Sequence, residues 1–230
     1  MFRSALSRSA AQLAGALALT GALMASQAIS TPVALAASHG HAPLVWRVSG
    51  EHAMAPGPVG RVASAPAPCP NANLTPTSAN IPQIEAATMC LINQQRVLRH
   101  EHPLRENADL TSAAVGHAQD MVTNDYYSHT SLAGATLLDR VQATGYLPHA
   151  DSYILGENID FGTLWLATPA SIVSGWMSSP EHKANILDSD FVDTGIGVVA
   201  SAPVQFAGDQ SGATYTQDFG VVQTPRGAIS

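Results

Sequence analysis

The chain has 230 residues, a formal net charge of −7 and only two cysteines. The negative charge is concentrated: residues 81–222 hold five basic side chains (Arg96, Arg99, Arg105, Arg140, Lys183) against sixteen acidic ones. Such a surface repels phosphate backbones and anionic bilayers, which excludes nucleic acid as an expected partner.

Residues 1–36 read as a cleavable secretion signal: Arg3 and Arg8, an apolar run from Ala11 to Ala25, then small residues ending Ala34-Leu35-Ala36. The run of about 15 residues falls short of the roughly 20 that span a bilayer, and no later stretch reaches that length. The reading is therefore of a secreted, extracellular protein with no transmembrane segment once the signal is removed. About 190 residues then remain, enough for one domain with a proper core.

Residues 37–80 are rich in Pro, Ala, Ser and Gly with no sustained apolar period, and read as a flexible linker. His39, His41 and His52 within it are scattered as incidental histidines are, rather than as a metal tract. Cys69 and Cys90 are expected to pair, since an exported chain meets an oxidising environment and there is no CxxC or second metal-type pair. Closing that loop of about 20 residues is worth about 3 kcal/mol in the loop-entropy model.

Order is expected over 81–223, followed by a tail at 224–230. Ile84, Ala87, Thr88, Leu91 and Leu98 recur on one face of a helix from Pro82 to about His100, ending before Pro103. Cys90 lies about 120° from that stripe, where a strap carrying Cys69 can reach it. A second helix runs from the N-cap Asn107 to about Asn124, with Leu110, Ala114, His117 and Met121 inward. A shorter one spans about Leu137–Thr144 and stops at Gly145. Thr168-Pro169 opens a further helix that buries Val173, Trp176 and Met177.

Strands are expected at Thr194–Ala200 and Ala213–Val222, joined by a loop of polar and small residues, with a short strand near Tyr153–Asp160. Helices packed on a small, largely antiparallel sheet follow, an α+β fold.

The chain lacks a G-x-S-x-G elbow, a P-loop, HExxH and a Rossmann glycine fingerprint. It does contain, in order, Tyr126-Tyr127-Ser128-His129-Thr130, Gly156-Glu157-Asn158-Ile159, Trp176 with Ser179-Pro180-Glu181-His182-Lys183-Ala184-Asn185-Ile186-Leu187, Gly195-Ile196-Gly197-Val198 and Tyr215-Thr216-Gln217-Asp218-Phe219-Gly220. With Asn93 and Arg96, this series resembles the CAP superfamily, the cysteine-rich secretory, venom-allergen and pathogenesis-related proteins, and within it the bacterial SCP-like extracellular branch.

The resemblance covers about residues 84–222 and implies a three-layer α-β-α sandwich. It also implies a cleft with two histidines and two acids that in some members holds a divalent cation. His129 matches the first histidine and Glu157 the first acid. The family's second acid falls on Ser179 and its second histidine on Thr214, so His182, with Glu181 beside it, is the substitute.

His129, Glu157 and His182 would give a zinc ion three ligands with positions left open for water. Without metal, the same trio is a hydrogen-bonded cluster in which the carboxylate orients an imidazole. Glu157 alone could equally satisfy backbone donors in a tight turn. His117 reads as a core or cleft-wall residue, Trp176 as core, and Asn185 as a brace after His182. Tyr215 and Gln217 share one strand face and are expected to line the cleft.

Three functional readings stay open. The first is a binding protein for an ion, a small apolar or sterol-like lipid, or an extracellular protein partner. The second is a metal-dependent hydrolase using His129, Glu157 and His182. In the third the polar cluster is structural and surface loops such as 201–212 carry function.

Overall fold

The computed structural model describes residues 44–48, 67–147, 150 and 152–223. The expected signal, most of the linker with His39, His41 and His52, and the expected tail lie outside the described residues.

Five strands form one mixed sheet in the order β1 (Leu44–Val48), β3 (Ser152–Thr163), β5 (Gly212–Gln223), β4 (Asp193–Val199), β2 (Arg105–Glu106). All neighbours are antiparallel except β2 and β4. β3 and β5 pair along their whole length, Ser152 opposite Gln223 through Thr163 opposite Gly212. The short strand expected near 153–160 is thus a twelve-residue central one. Two glycines, Asn158 and Asp160 dilute its β-propensity and hide its length from a composition reading.

Two stretches of the expected linker lie among the described residues. Residues 44–48 pair with β3 from Val48 opposite Tyr153 to Leu44 opposite Glu157; their Val- and Trp-containing sequence is strand-forming but sits among prolines. The strap 67–80 also has fixed contacts. Leu74 packs on the main core cluster, Ala72 accepts a hydrogen bond from Ala170 N, and Cys69 is bonded to Cys90 with Cα atoms 5.8 Å apart.

Helices α1 (Ile81–Val97), α4 (Pro169–Ser178) and α5 (Pro180–Leu187) pack together on one face of the sheet. Helices α2 (Ala108–Thr123) and α3 (Leu137–Thr144) cover the other. The N-caps are those the sequence marks. Asn107 accepts from the Asp109 and Leu110 amides, and Thr168 accepts from Ser171 with Pro169 following. Gly145 ends α3 at φ 95°, a conformation that favours glycine.

Between β4 and β5 the connection is not a plain polar loop. It holds a short helix, α6 (Val204–Ala207), whose Phe206 ring lies 5.9 Å from that of Phe161 and 6.2 Å from that of Tyr127.

The first helix departs from its expected stripe at the C-terminal end. Leu98 caps α1 and is 56% exposed, while Arg96, 1% exposed, turns inward. Its guanidinium donates to the carbonyls of His102 (2.6 Å), Ile186 (2.8 Å), Asp188 (2.9 Å) and Phe191 (3.4 Å). These bonds satisfy carbonyls at the end of α5 that the helix leaves open, and fasten α1 to the approach to β4.

Alternation along the strands decides which side each residue serves. Gly156, Asn158, Tyr215, Gln217 and Phe219 face α1, α4 and α5, where Tyr215 and Phe219 join Ile84, Ile92, Trp176 and Phe191 in the main core. Leu155, Glu157, Ile159 and Asp218 face α2 and α3. Gly195 and Gly197 let α2 rest directly on β4, since a Cβ at either would come 2.0 Å from Thr111 N or 2.2 Å from Val115 N.

Candidate functional site

A polar cluster occupies the middle of the α2–α3 face. Glu157 is completely buried there, and three basic side chains from three segments converge on it. His129, on the loop after α2, donates from Nδ1 to Oε1 at 2.7 Å. Arg140, on α3, donates from Nη2 to Oε2. His117, on α2, has Nε2 3.9 Å from Oε2 but gives its proton to the Ser128 carbonyl at 2.9 Å. Arg140 also donates to the carbonyls of His129 and Ala135, so one guanidinium fixes both the loop and the strand.

The fifth member is Asp218, directly opposite Glu157 in the ladder and equally buried. Burial and the neighbouring Glu157 charge raise its pKa well above the carboxylate range, which favours its protonated form. Glu157 moves the other way. Burial opposes its ionisation, but the His129 hydrogen bond and the Arg140 charge outweigh burial and keep it a carboxylate, near a pKa of about 2. Burial lowers the His117 pKa to about 4 against the pull of Glu157, so that ring is neutral at physiological pH. The cluster is therefore one guanidinium, one carboxylate, a second carboxyl that favours its protonated form, and two histidine rings, of which His117 is neutral.

Of the expected site residues, the structure brings together His129 and Glu157 and adds His117, but places His182 in the other layer. His182 is on α5, and its carbonyl accepts from Asn158 Nδ2 (3.1 Å), on the face opposite Glu157. The expected trio of His129, Glu157 and His182 thus does not converge, because adjacent residues Glu157 and Asn158 point to opposite sides of one strand.

Glu181 belongs to the first turn of α5, where Oε2 accepts from Ser179 Oγ at 3.1 Å. Tyr215 and Gln217 do share a face, but it is the core face. Both are fully buried, with the Tyr215 hydroxyl donating to Ala167 O (2.7 Å) and Gln217 Nε2 to Thr194 Oγ1 (3.2 Å). Asn185 braces β3 rather than its own turn, donating to Glu157 O (3.1 Å) and Asn158 Oδ1 (2.9 Å). Trp176 is core, its indole N–H directed to Ile159 O at 3.3 Å.

Arg140 and Asp218 were not singled out from the sequence. The signal was present: Asp218 lies in the Gln217-Asp218-Phe219-Gly220 segment, and Arg140 is a cation beside the inward Leu137 and Val141 of α3.

The donors do not fit a divalent cation. Both oxygens of Glu157 already accept hydrogen bonds, a guanidinium stands beside them, and His129 is turned to donate. Among the described residues no three His, Cys, Asp or Glu side chains are grouped to hold a metal.

A mixed sheet between two helical layers, with histidines and carboxylates gathered on one face, is the α-β-α sandwich that the resemblance implied. A family model described as the cysteine-rich secretory protein family, CAP, matches residues 90–219, more than half of the chain, and the chain belongs to that family.

Among curated proteins it is 30% identical over 157 residues to the uncharacterized protein YkwD of Bacillus subtilis, covering 67% of this chain and 54% of the relative. It is 32% identical over 111 residues to the uncharacterized membrane protein YlbC of the same organism, covering 47% and 30%. The chain thus spans about half the length of the first relative and less of the second.

Similar solved structures include an extracellular protein containing an SCP domain from Bacillus anthracis, at 28% identity and a TM-score of 0.48, covering 62% of this chain and 43% of that one. Another is an outer surface protein from Borrelia burgdorferi, at 20% identity and a TM-score of 0.47, covering 59% and 90%.

Proposed function

We propose that this protein is an exported binding module, with the buried His–carboxylate cluster as its internal brace and a surface groove as its ligand contact. The observation that carries the reading is a groove of about 400 Å³ where α4 meets α5, lined by Met177, Ser178, Pro180, Lys183, Ala184 and Leu187. Its walls are mainly apolar and Lys183 is its one charged lining residue. In a domain so rich in acid, a lone ammonium beside apolar walls favours a ligand with an apolar body and one anionic group. The signal-like leader and the Cys69–Cys90 bond support export. Among the described residues no helix is long and apolar enough to cross a membrane.

The hydrolase reading has less support, since His182 stands apart from His129 and Glu157 and no nucleophile motif is present. Titration of the purified protein with a long-chain fatty acid, followed calorimetrically, tests the binding reading. Micromolar binding weakened at least tenfold by Lys183→Glu is expected. No binding by 100 µM, or binding indifferent to Lys183→Glu, would sink it.

A further inference from the structure

Asp218 is completely buried, yet neither of its carboxyl oxygens has a hydrogen-bond partner among the described residues. Thr216 Oγ1, two residues away on the same strand face, and His117 Nδ1, on α2, are buried and unpartnered in the same way. Folded proteins seldom leave buried polar groups unpaired, so three of them in one region call for a shared partner.

These groups belong to one seam of the fold. Asp218 and Thr216 stand opposite Gly195 and Gly197 in the β4–β5 ladder. Helix α2 lies against those glycines, for a Cβ on Gly195 would come 2.1 Å from Leu110 C and one on Gly197 2.4 Å from Ala114 C. His117 is within one turn of Ala114, and its Nε2 comes to 3.9 Å from Glu157, the cross-strand partner of Asp218. The glycines have no side chain with which to bind the helix, so polar contact in this seam falls to Asp218, Thr216 and His117.

We propose that the seam between α2 and the β4–β5 ladder binds one internal water, held by the Asp218 carboxyl, the Thr216 hydroxyl and His117 Nδ1. Donors and acceptors match. His117 gives its Nε2 proton to the Ser128 carbonyl, which leaves Nδ1 a lone pair. Asp218 favours its protonated form, and the Glu157 oxygens are already held by His129 and Arg140. The water accepts from Asp218 and donates to His117 Nδ1 and Thr216 Oγ1, about three bonds being usual for a buried water. With a neutral imidazole and a protonated carboxyl, the seam suits a neutral ligand, and among the described residues no three His, Cys, Asp or Glu side chains are grouped for a metal.

The experiment compares wild type, Asp218→Asn, Asp218→Leu and Thr216→Val at pH 7.5. High-resolution crystal structures locate ordered waters, oxygen-17 relaxation dispersion counts long-lived waters in solution, and nitrogen-15 spectra read the His117 tautomer. Wild type is expected to show one water within about 3.2 Å of Asp218, Thr216 and His117 Nδ1, with His117 as the neutral Nε2–H form. Asp218→Asn, whose amide still donates, is expected to keep that water, and Asp218→Leu to lose one long-lived water from the count. Thr216→Val removes one of its bonds and is expected to shorten its residence about tenfold.

A wild-type crystal in which Asp218 bonds directly to Thr216 or His117, with no water between them, would overturn the proposal. So would an equal count of long-lived waters in wild type and Asp218→Leu, or a His117 protonated at Nδ1. If Asp218→Leu does not fold, Thr216→Val decides: a shortened residence supports the site, and an unchanged one counts against it.

Discussion

Asp218 stands opposite Glu157 across the β3–β5 ladder, and both carboxyls are fully buried on the same face of the sheet. Two such groups cannot both be charged without another cation, so one keeps a proton, and the neighbours of Glu157 select Asp218.

A group whose folded pKa is raised contributes stability below its unfolded pKa and loses it as pH rises, so Asp218 is a standing cost at neutral pH. Asp218→Asn supplies a donor that needs no protonation, and is expected to melt above wild type at pH 7.5. Its advantage should shrink as pH falls toward 4. Asp218→Leu, which removes the donor, is expected to lose about 1–3 kcal/mol. Urea unfolding across that pH range measures both. An Asn variant less stable than wild type at every pH would mean that Asp218 is ionised.

His117 titrates with the opposite sign. Its folded pKa is lowered from 6.5 to about 4, chiefly by burial, so the unfolded chain takes up a proton that the folded one refuses. Stability present above pH 6.5 is lost as pH falls to about 4, by about 3 kcal/mol at the limit. Asp160, which burial raises to about 7, and Asp218 move stability the other way over this range. The readout is therefore the difference between wild type and His117→Gln, whose amide can still donate to Ser128 O. The variant should gain on wild type between pH 6.5 and 4, and a pH-independent difference would contradict the assignment.

Arg96 predicts a large effect on stability. Arg96→Met removes donors to four carbonyls while keeping part of the apolar stem. A loss of about 2–4 kcal/mol is expected in urea unfolding, from buried acceptors left without partners.

The Cys69–Cys90 bond closes a loop with a sequence separation of 21, and its replacement by two serines is expected to cost about 3 kcal/mol. Because Leu74 and Ala72 bind the strap independently, hydrogen exchange should show local opening of 67–80 before the helices lose protection. Simultaneous loss of protection everywhere would show that the bond holds the whole domain together.

Much of this architecture was legible in local chemistry. Asn107, Thr168-Pro169 and Gly145 mark helix ends because caps are decided by one or two residues, and the inward set Leu110, Ala114, His117 and Met121 follows from period alone. The resemblance then supplied the layer order, and brought His129 to Glu157 over 28 residues of sequence.

What remained hidden depended on parity and pairing. Glu157 and Asn158 are neighbours in sequence but serve opposite layers, as do Gln217 and Asp218, so motif membership could not say which residues meet. That parity places His182, Tyr215 and Gln217 in the layer away from the Glu157 carboxylate. A lone arginine on a short helix usually faces water, and only the register of β3 under α3 turns Arg140 into a partner for Glu157.

The two glycines of β4 give the cluster its depth. With no side chains at Gly195 and Gly197, the α2 backbone settles onto the sheet, and the height of that seat sets how far His117 can reach. A methyl group at either position would act as a shim, lifting the helix and drawing the imidazole away from a carboxylate two strands distant. The spacing of the cluster is therefore encoded partly in atoms that are missing, on a strand that contributes no polar side chain to it.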